Sequence, residues 1–418
     1  MTSSSQTRST IGFLVGAALL IGGVGSLWGW ALPLVVLAIL LMVMAHEFGH
    51  YIVAKRSGML VTDFFVGFGP VLWATTRGET RYGIRALPLG GFVKVPGMTW
   101  IDEIDPALES RTYRSASYPR KVLFASAGSL VHLLLALVLA WASLVFFGTT
   151  QASSIGIAGF DTWAGHPTNA AQQAGLHPGD VFVSINGVSA NAMSVVIDEV
   201  RAHANESITV VVRRHGHDLT VHATPQDGRN LRVGGEPLAT GKMPQGFLGI
   251  ALTNEVVKSS PLAAVPSAAS LVWSTAVDGV RSLAHVVSPG EVSSIVHQIT
   301  SPHFANSPQT QLSRPVSIVG VVRIADQAAQ SNRDALLLIL MNLNVFVGIL
   351  NMLPMLPLDG GYVAVATYER LRRRGGTIYR ANLAKLTPFV YFFLLVLGLL
   401  FLATLYLDVV DPITNPFK

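Results

Sequence analysis

The sequence predicts a polytopic α-helical membrane protein with four or five transmembrane helices and a water-soluble insertion. The 418 residues are 50% hydrophobic and only 13% charged, and their mean hydropathy is +0.48. Several apolar runs reach the roughly 20 residues that a helix needs to cross a bilayer. A long polar stretch in the middle of the chain separates these runs. This is not the profile of a soluble protein.

The transmembrane helices are predicted at residues 11–30, 32–54, 122–147, 336–356 and 388–407. Between the first two lies a Gly-rich stretch, 22–30, followed by Pro33. It is either a tight turn between two spans or an interruption within one broken segment, and we expect two spans. No small-residue cleavage site precedes a soluble domain, so we interpret the first apolar run as a retained anchor and not as a signal peptide.

The distribution of basic residues predicts the orientation of the chain. Lys and Arg concentrate in the loops 55–121 and 368–387, which are therefore expected on the cytoplasmic side. The segment 148–335 and the C-terminal tail are then outside the cytoplasm. With two spans before the first loop, the N-terminus is cytoplasmic.

Charge and cysteine content restrict the partners. The net charge is +5, but the basic residues flank apolar spans and do not cluster with aromatic residues, so we expect lipid headgroups and no nucleic acid as partner. The chain has no cysteine. Disulfides and thiolate ligands are therefore impossible, and any metal must be bound by His and carboxylate side chains.

The strongest motif is HEFGH, residues 46–50, inside an apolar run. On a helix, His46 and His50 lie one turn apart on the same face, so both imidazoles can bind one Zn²⁺ while Glu47 reaches the attacking water. Soluble helices also contain HExxH by chance, without metal. Polar residues within an apolar span are costly, however, and usually functional. The motif therefore predicts metal-assisted peptide hydrolysis, with Glu47 as the general base.

A catalytic zinc site needs a third protein ligand, for which Asp359 is the candidate. It lies in NMLPMLPLDGG, residues 351–361, where prolines interrupt helical hydrogen bonding at the end of an apolar segment. Such irregular backbone at membrane depth is tolerated beside protein or a water-filled cavity. The alternative is a helix-capping Asp at the membrane surface. Asn351 is suited to hydrogen-bond substrate backbone or a developing oxyanion, with a polar packing contact as its alternative.

The outer segment contains a run that resembles a known domain. The run AGLHPGDVFVSINGVSA, residues 174–190, resembles the core of PDZ domains, and Pro178, Gly179 and Gly187 are suited to its tight turns. We therefore expect an inserted extracytoplasmic α+β PDZ-like domain, with the fold covering 155–225. An unrelated small β domain is the alternative.

HEFGH early in the chain, the PDZ-like insertion and NMLPMLPLDGG late in the chain, in this order, resemble the site-2 protease family of intramembrane zinc metalloproteases, in particular its bacterial members with one PDZ domain. The resemblance covers about 32–410. It implies that His46, His50 and Asp359 are zinc ligands and that Glu47 is the general base. The stretch 82–98 also resembles the family's membrane-dipping β-loop, which presents a strand edge to substrate. Substrate contacts are accordingly expected at Asn351, Pro354, Gly90 and Gly91.

Two features depart from the family pattern. Residues 127–132 read AGSLVH, where many relatives have a Gly-Pro pair followed by Asn. His132 could approach the zinc, but a packing hydrogen bond is the more common role of a single His in a membrane helix. The helix at 11–30 is additional to the compact four-span arrangement.

The predicted organisation, in chain order, is an N-terminal tail with an extra helix (1–31), the HExxH helix (32–54), a cytoplasmic loop with the β-loop (55–121), a transmembrane helix (122–147), the PDZ-like domain (148–230), a membrane-associated linker with amphipathic helices (231–335), a transmembrane segment with the Pro-rich motif and a basic loop (336–387), and a last helix with a tail (388–418).

The resemblance implies a multi-pass protein of the plasma membrane that cleaves single-pass membrane proteins in or near their transmembrane segments. Anti-sigma factors, after a first cleavage, and remnant signal peptides are the usual bacterial substrates, and the PDZ-like domain would bind a peptide C-terminus or filter substrates by size. Two other classes stay open from the residues: a membrane scaffold without activity and a metal transporter. The scarcity of further intramembrane carboxylates argues against transport.

Overall fold

The structure is a computed structural model, which describes residues 31–98, 104–161, 168–233, 236–241, 243–286, 316–331, 333–373 and 379–410 and a few isolated positions. The chain divides into two compact units, Met1–Ser143 with Pro261–Lys418, and Leu144–Ser260. Within the described part, four helices are long and apolar enough to cross a membrane. They confirm the prediction of a polytopic membrane protein with a separate sheet region.

The first unit is a helix bundle. Its helices are α1 (Ala31–Arg56), α2 (Tyr118–Ala142, continued by a π-helical turn Ser143–Phe147), α5 (Ala264–Val286), α6 (Ile318–Ser331), α7 (Arg333–Asn351), α8 (Asp359–Arg372) and α9 (Thr387–Val410), with α3 and α4 in the second unit. Helix α2 is central, because it packs against α1, α5, α7 and α8. The spans α1, α2, α7 and α9 correspond to four predicted helices, whereas the predicted helix at 11–30 lies outside the described residues.

A long antiparallel hairpin, β1 (Asp63–Arg77) and β2 (Thr80–Lys94), follows α1. Each strand folds back on itself, so the segment Asp63–Val66 is in register with both Arg81–Ile84 and Gly91–Lys94. Glu79 at the hairpin turn binds Arg111 and Lys55, each at 2.8 Å. These hydrogen bonds, of which that from Arg111 has the larger effect, lower the pKa of the Glu79 carboxyl to about 2. Glu79 with its two cations is called the Glu79 clamp, and it is charged at neutral pH.

The second unit is built on a six-stranded sheet in the order β12-β3-β4-β6-β7, with β5 paired to β4. Its elements are β3 (Thr149–Phe160), α3 (Ala170–Gln173), β4 (Val181–Ile185), β5 (Val188–Ser189), α4 (Met193–Ala202), β6 (Ile208–Arg214), β7 (His217–Ala223), β8 (Gln226–Asp227), β9 (Arg232–Val233), β10 (Glu236–Pro237), β11 (Gly246–Phe247) and β12 (Ile250–Val257). Alternate strand residues and two residues of α4, Val196 and Val200, form one apolar core.

Two boundaries differ from the prediction. The helix predicted at 336–356 ends at Asn351, because the prolines at 354 and 357 follow within two turns. The predicted domain 148–230 is shorter than the compact unit, which continues to Ser260. The reason is that β12, in the part of the chain assigned to the linker 231–335, pairs antiparallel with β3 from Val257↔Thr149 to Ile250↔Phe160 and so completes the sheet.

Candidate active site

Helix α1 carries the HExxH motif on the side that faces the bundle. His46 is 8% exposed and His50 is 6% exposed, whereas Phe48, on another face, is 50% exposed. Four residues advance a helix by slightly more than one turn, so the two imidazoles lie along one face, with their ring planes at 75° to each other. Their Nε2 atoms are 3.2 Å apart.

Asp359 is the first residue of α8, and the irregular turn after α7 brings it to the two histidines. Gly360 and Gly361 make this possible, because a Cβ on Gly360 would overlap the Met352 carbonyl and a Cβ on Gly361 would approach Leu356 N to 2.5 Å. The Gly-Gly pair therefore lets the turn 352–356 fold against the start of the helix. A carboxylate in the first helical turn is also favoured by the helix dipole.

The three predicted ligands converge on one point. Asp359 Oδ2 lies 3.4 Å from His46 Nε2 and 3.2 Å from His50 Nε2, which closes a nearly equilateral triangle with the 3.2 Å His–His distance. Ligands about 2.0–2.1 Å from a tetrahedral zinc stand roughly 3.3 Å from one another. Asp359 Oδ2 is buried and has no hydrogen-bond partner in the described part of the chain. The donor set, spacing and orphaned oxygen therefore fit a zinc ion.

Helix α2 supports both histidines from the other side. His50 Nδ1 donates to the Phe124 carbonyl at 2.8 Å, which fixes the tautomer that leaves its Nε2 unprotonated for a metal. The His46 ring lies directly on Gly128, where a Cβ would overlap three ring atoms. Helix α2 thus orients His50 with a hydrogen bond, and its Gly128 leaves the space that the His46 ring occupies.

Glu47 lies next to the ligand cluster and is held by the hairpin. Its Oε2 accepts a hydrogen bond from Val93 N at 3.1 Å. Val93 belongs to the Gly91–Lys94 segment of β2, which pairs with Asp63–Val66 on its other side. The outer edge of this segment therefore faces the carboxylate.

The other predicted site residues are more dispersed. Asn351 is half-buried at the last position of α7, and Pro354 is exposed in the turn that follows. Gly90 and Gly91 are buried against α1, where a Cβ on Gly91 would lie 2.7 Å from Met44 Sδ. The two glycines thus have a packing role between hairpin and helix, and their contact with substrate stays a prediction, as do those of Asn351 and Pro354.

Sequence reasoning missed the surroundings of His132. It is 2% exposed, its Nδ1 lies 2.8 Å from Asn344 Oδ1, and its ring centre is 5.0 Å from that of His46. Asn344, on α7, is fully buried and was not singled out. Two polar residues in separate apolar spans are a signal that each needs a partner, but they are 212 positions apart and nothing local pairs them.

Comparison with known proteins agrees with this geometry. Residues 34–397 match peptidase family M50. The chain is 32% identical over 402 residues to zinc metalloprotease Rip1 of Mycobacterium tuberculosis, covering 90% of this chain and 96% of that protein. It is 30% identical over 420 residues to Rip1 of Mycolicibacterium smegmatis, covering 93% and 99%. A putative zinc metalloprotease of Nostoc sp. is 30% identical over 342 residues, covering 81% and 85%.

Proposed function

The chain belongs to peptidase family M50, the site-2 protease family of zinc metalloproteases, and from this premise we propose that it is an intramembrane endopeptidase whose site is formed by His46, Glu47, His50 and Asp359. The observation that carries the proposal is the triangle of 3.2, 3.2 and 3.4 Å between the three ligand atoms, with Glu47 beside it.

In this assignment His46 Nε2, His50 Nε2 and Asp359 Oδ2 hold the zinc. When bound, the ion polarises the scissile carbonyl and lowers the pKa of a water molecule toward 7. His50 keeps its Nδ1 proton on the Phe124 carbonyl, so its Nε2 lone pair stays available as a ligand. Three protein ligands leave a fourth position for water or substrate, as catalytic sites require.

Glu47 moves the proton. Its Oε2 is fixed by Val93 N, so we assign Oε1 as the oxygen that takes a proton from the attacking water and then gives it to the leaving amide nitrogen. Glu47 is half-buried, which limits the access of bulk water to the carboxylate, and the hydrogen bond limits its rotation. Both effects hold the base in one orientation for each proton transfer.

The hairpin is proposed to bind substrate as an added strand. Peptide bonds in a transmembrane helix are already hydrogen-bonded, so a substrate has to unwind before it is cleaved. The outer edge of Gly91–Lys94 offers backbone groups beside Glu47, and a strand added there would run past the ligand cluster. Exposed Phe68, Trp73 and Leu87 on the hairpin support contact of this loop with lipid.

We further propose that the unit Leu144–Ser260 is a PDZ-like domain outside the cytoplasm. Helix α4 and the edge strand β12 border a groove of about 570 Å³, lined by residues that include Val196, Val200 and Leu248. A peptide C-terminus that extends β12 by one strand would place alternate side chains in this groove. Such a domain would receive the new end that a first protease creates on an outer domain.

The proposed substrates are single-pass membrane proteins, with anti-sigma factors and remnant signal peptides as the bacterial classes, and the proposed location is the plasma membrane. Orientation is directly testable because the chain has no cysteine. A Thr220→Cys variant should react with a membrane-impermeant maleimide on intact cells, and a Leu108→Cys variant should react only after permeabilisation. The reverse pattern would contradict the proposed topology.

The catalytic assignment is tested by zinc content and by cleavage of a single-pass model substrate in detergent. We expect wild type to hold one zinc and to cut, Glu47→Gln to hold zinc without cutting, and Asp359→Asn to lose zinc affinity. Asp278→Asn is the matched control, because it removes an acid on the exposed surface of α5, and it should behave as wild type.

Each other outcome has a definite meaning. Wild type without zinc after reconstitution would overturn the catalytic assignment and favour a scaffold. Normal cleavage by Glu47→Gln would refute its role as the base. Zinc flux into liposomes without cleavage would favour a transporter.

A further inference from the structure

A cavity of about 270 Å³ lies in the helix bundle at the end where two membrane spans begin. Lys121 is in the first turn of α2, and Leu383 is the first residue of the candidate span that contains α9. Both residues line the cavity, which therefore lies at the boundary between the hydrocarbon core and water. The described residues around it include none of the candidate zinc ligands, so it is separate from the proposed active site.

The cavity carries an excess of positive charge. Its lining contains three cations, Arg114, Lys121 and Arg380, and one carboxylate, Glu369. A second carboxylate, Glu109, lies outside the lining, 2.6 Å from Arg114 and 3.5 Å from Arg380. Among the described residues of this cluster, three cations thus stand against two carboxylates, which leaves one positive charge without a counterion.

The cavity also has hydrogen-bond donors in excess. Lys121 Nζ donates to Glu369 Oε2 at 2.8 Å, and Glu369 Oε1 accepts from Ala381 N at 3.0 Å. Both oxygens of Glu369 are therefore engaged. An ammonium group has three N–H donors, and Lys121 uses one of them within the described chain. Its side chain is 10% exposed, so bulk water has little access to the other two.

Tyr113 adds a further donor without an acceptor. The residue lines the cavity and is 6% exposed, and its hydroxyl makes no hydrogen bond to the residues that the structure describes. Lys121 Nζ lies 5.6 Å from the centre of its ring, so the two donor residues are neighbours. A buried hydroxyl without a partner is costly, and buried polar groups are as a rule paired with protein, water or a ligand.

We propose that this cavity binds the phosphate group of an anionic phospholipid. Such a phosphate offers a negative charge and acceptor oxygens, which are what Lys121, Tyr113 and Arg380 lack. Anionic headgroups lie where spans enter the bilayer, and basic pockets between membrane helices bind them. Apolar lining residues, which include Met98 and Leu383, would contact the glycerol and the first methylene groups. The proposal does not depend on the proposed peptidase activity.

The experiment titrates the delipidated full-length protein in neutral detergent with three probes: phosphatidylglycerol, phosphatidylcholine and inorganic phosphate. Phosphatidylcholine has the same phosphate without net charge, and inorganic phosphate has no acyl chains. Native mass spectrometry counts the bound molecules and gives the affinity. Thermal unfolding measures the stabilisation that each probe produces.

Two variants and two matched controls separate the cavity from general lipid binding. Tyr113→Phe removes the hydroxyl without a partner, and Arg380→Gln removes the half-exposed cation. Tyr391→Phe and Lys385→Gln remove the same two kinds of group from exposed positions in the same candidate span, outside the cavity lining. Lys121 is left in place, because its loss would leave a buried carboxylate without a counterion.

We expect wild type to bind phosphatidylglycerol more tightly than phosphatidylcholine. Tyr113→Phe should weaken binding of phosphatidylglycerol at least about tenfold, which is the worth of a hydrogen bond to a charged group. Without lipid, its unfolding temperature should be unchanged or higher, because a buried polar group without a partner is gone. Arg380→Gln should cause a smaller loss that shrinks at high salt, since this cation is half-exposed. Both controls should bind like wild type.

Equal affinity for the two lipids would overturn the inference, as would wild-type binding of phosphatidylglycerol by Tyr113→Phe; ordered water would then satisfy the donors. If inorganic phosphate binds as tightly as phosphatidylglycerol and with the same sensitivity to both variants, the ligand is a soluble phosphate and the lipid assignment fails. Should Tyr113→Phe fail to fold, the comparison of Arg380→Gln with Lys385→Gln still decides, because equal binding by these two variants would refute the site.

Discussion

Gly128→Ala is a sharp test of the site, because it adds one methyl group at the point where α2 meets the His46 ring. A Cβ at Gly128 would lie 2.6 Å from His46 Nε2 and closer still to two other ring atoms. Ordinary van der Waals contact begins at 3.4 Å. The His46 ring or helix α2 must therefore shift by about 1 Å. Because His46 Nε2 is one corner of the triangle of candidate ligand atoms, a shift of the ring would distort that triangle.

The magnitude follows from that displacement. A misplacement of about 1 Å at a reacting centre costs roughly 100-fold in rate, which corresponds to about 2.7 kcal/mol in the activation free energy. Alanine is favoured over glycine within a helix by about 1 kcal/mol, so the overall fold should not be lost. We expect zinc affinity and cleavage to fall together while thermal unfolding changes little.

The assay is cleavage of a single-pass model substrate together with bound zinc per protein. Gly398→Ala is the matched control, because Gly398 also lies in a membrane-spanning helix but has open space where the methyl group would go. It should keep full activity. Wild-type activity and zinc affinity in Gly128→Ala would refute the claim that the close approach of α2 positions His46.

Three further predictions concern the scaffold. The pKa of Glu79 is lowered, so the stabilisation by its ion pairs is complete above the usual carboxyl value of 4.5 and is lost as the pH falls toward about 2. A spin label attached to Thr76→Cys should therefore become more mobile over that pH range. In the Glu79→Gln background, the same label should show the mobile spectrum at every pH. Asp180→Ala removes a carboxylate that is 1% exposed and paired with an arginine, so thermal unfolding should show the sheet unit destabilised by about 3 kcal/mol. Asp218→Ala removes an exposed partner of an arginine and should change stability by less than about 1 kcal/mol. Equal effects of the two variants would contradict the argument from burial. Asp408→Ala removes the carboxylate that accepts a hydrogen bond from Ser317 N at the start of α6, so hydrogen exchange of the amides there should accelerate. Unchanged exchange would show that this hydrogen bond is not needed to hold the start of the helix.

The spans and the candidate metal-binding group were predictable because their signals are local or chemically unusual. An apolar run of sufficient length has few alternatives to a membrane helix, and His46 and His50 share a face by helical periodicity alone. Asp359 was singled out because it follows two prolines that interrupt an apolar segment at membrane depth, where irregular backbone is tolerated only beside protein or a water-filled cavity. The family resemblance rested on HEFGH, the PDZ-like run and NMLPMLPLDGG in this order, and membership of the family is shown by the match over 34–397.

The extent of the sheet unit, Leu144–Ser260, depends on a strand pairing that local sequence does not contain. β12 is a short strand after a Gly-rich stretch, and it becomes regular only because β3, about a hundred residues earlier, offers it an edge. The pairing of His132 is similar. Its sequence context favoured a packing hydrogen bond, which is present, but the partner Asn344 and the proximity to His46 depend on how α1, α2 and α7 pack.

The sequence by itself indicated the membrane-spanning architecture, the zinc chemistry and the candidate residues for it, since side-chain type and spacing along a helix decide which ligands can face the same way. Only the tertiary structure decided that Asp359 Oδ2 completes a triangle with the two imidazoles, that Val93 N donates to Glu47, and that Gly128 and His132 lie against His46. These contacts join segments far apart in the chain. Their distances follow from helix packing and close backbone approach, which local periodicity does not specify.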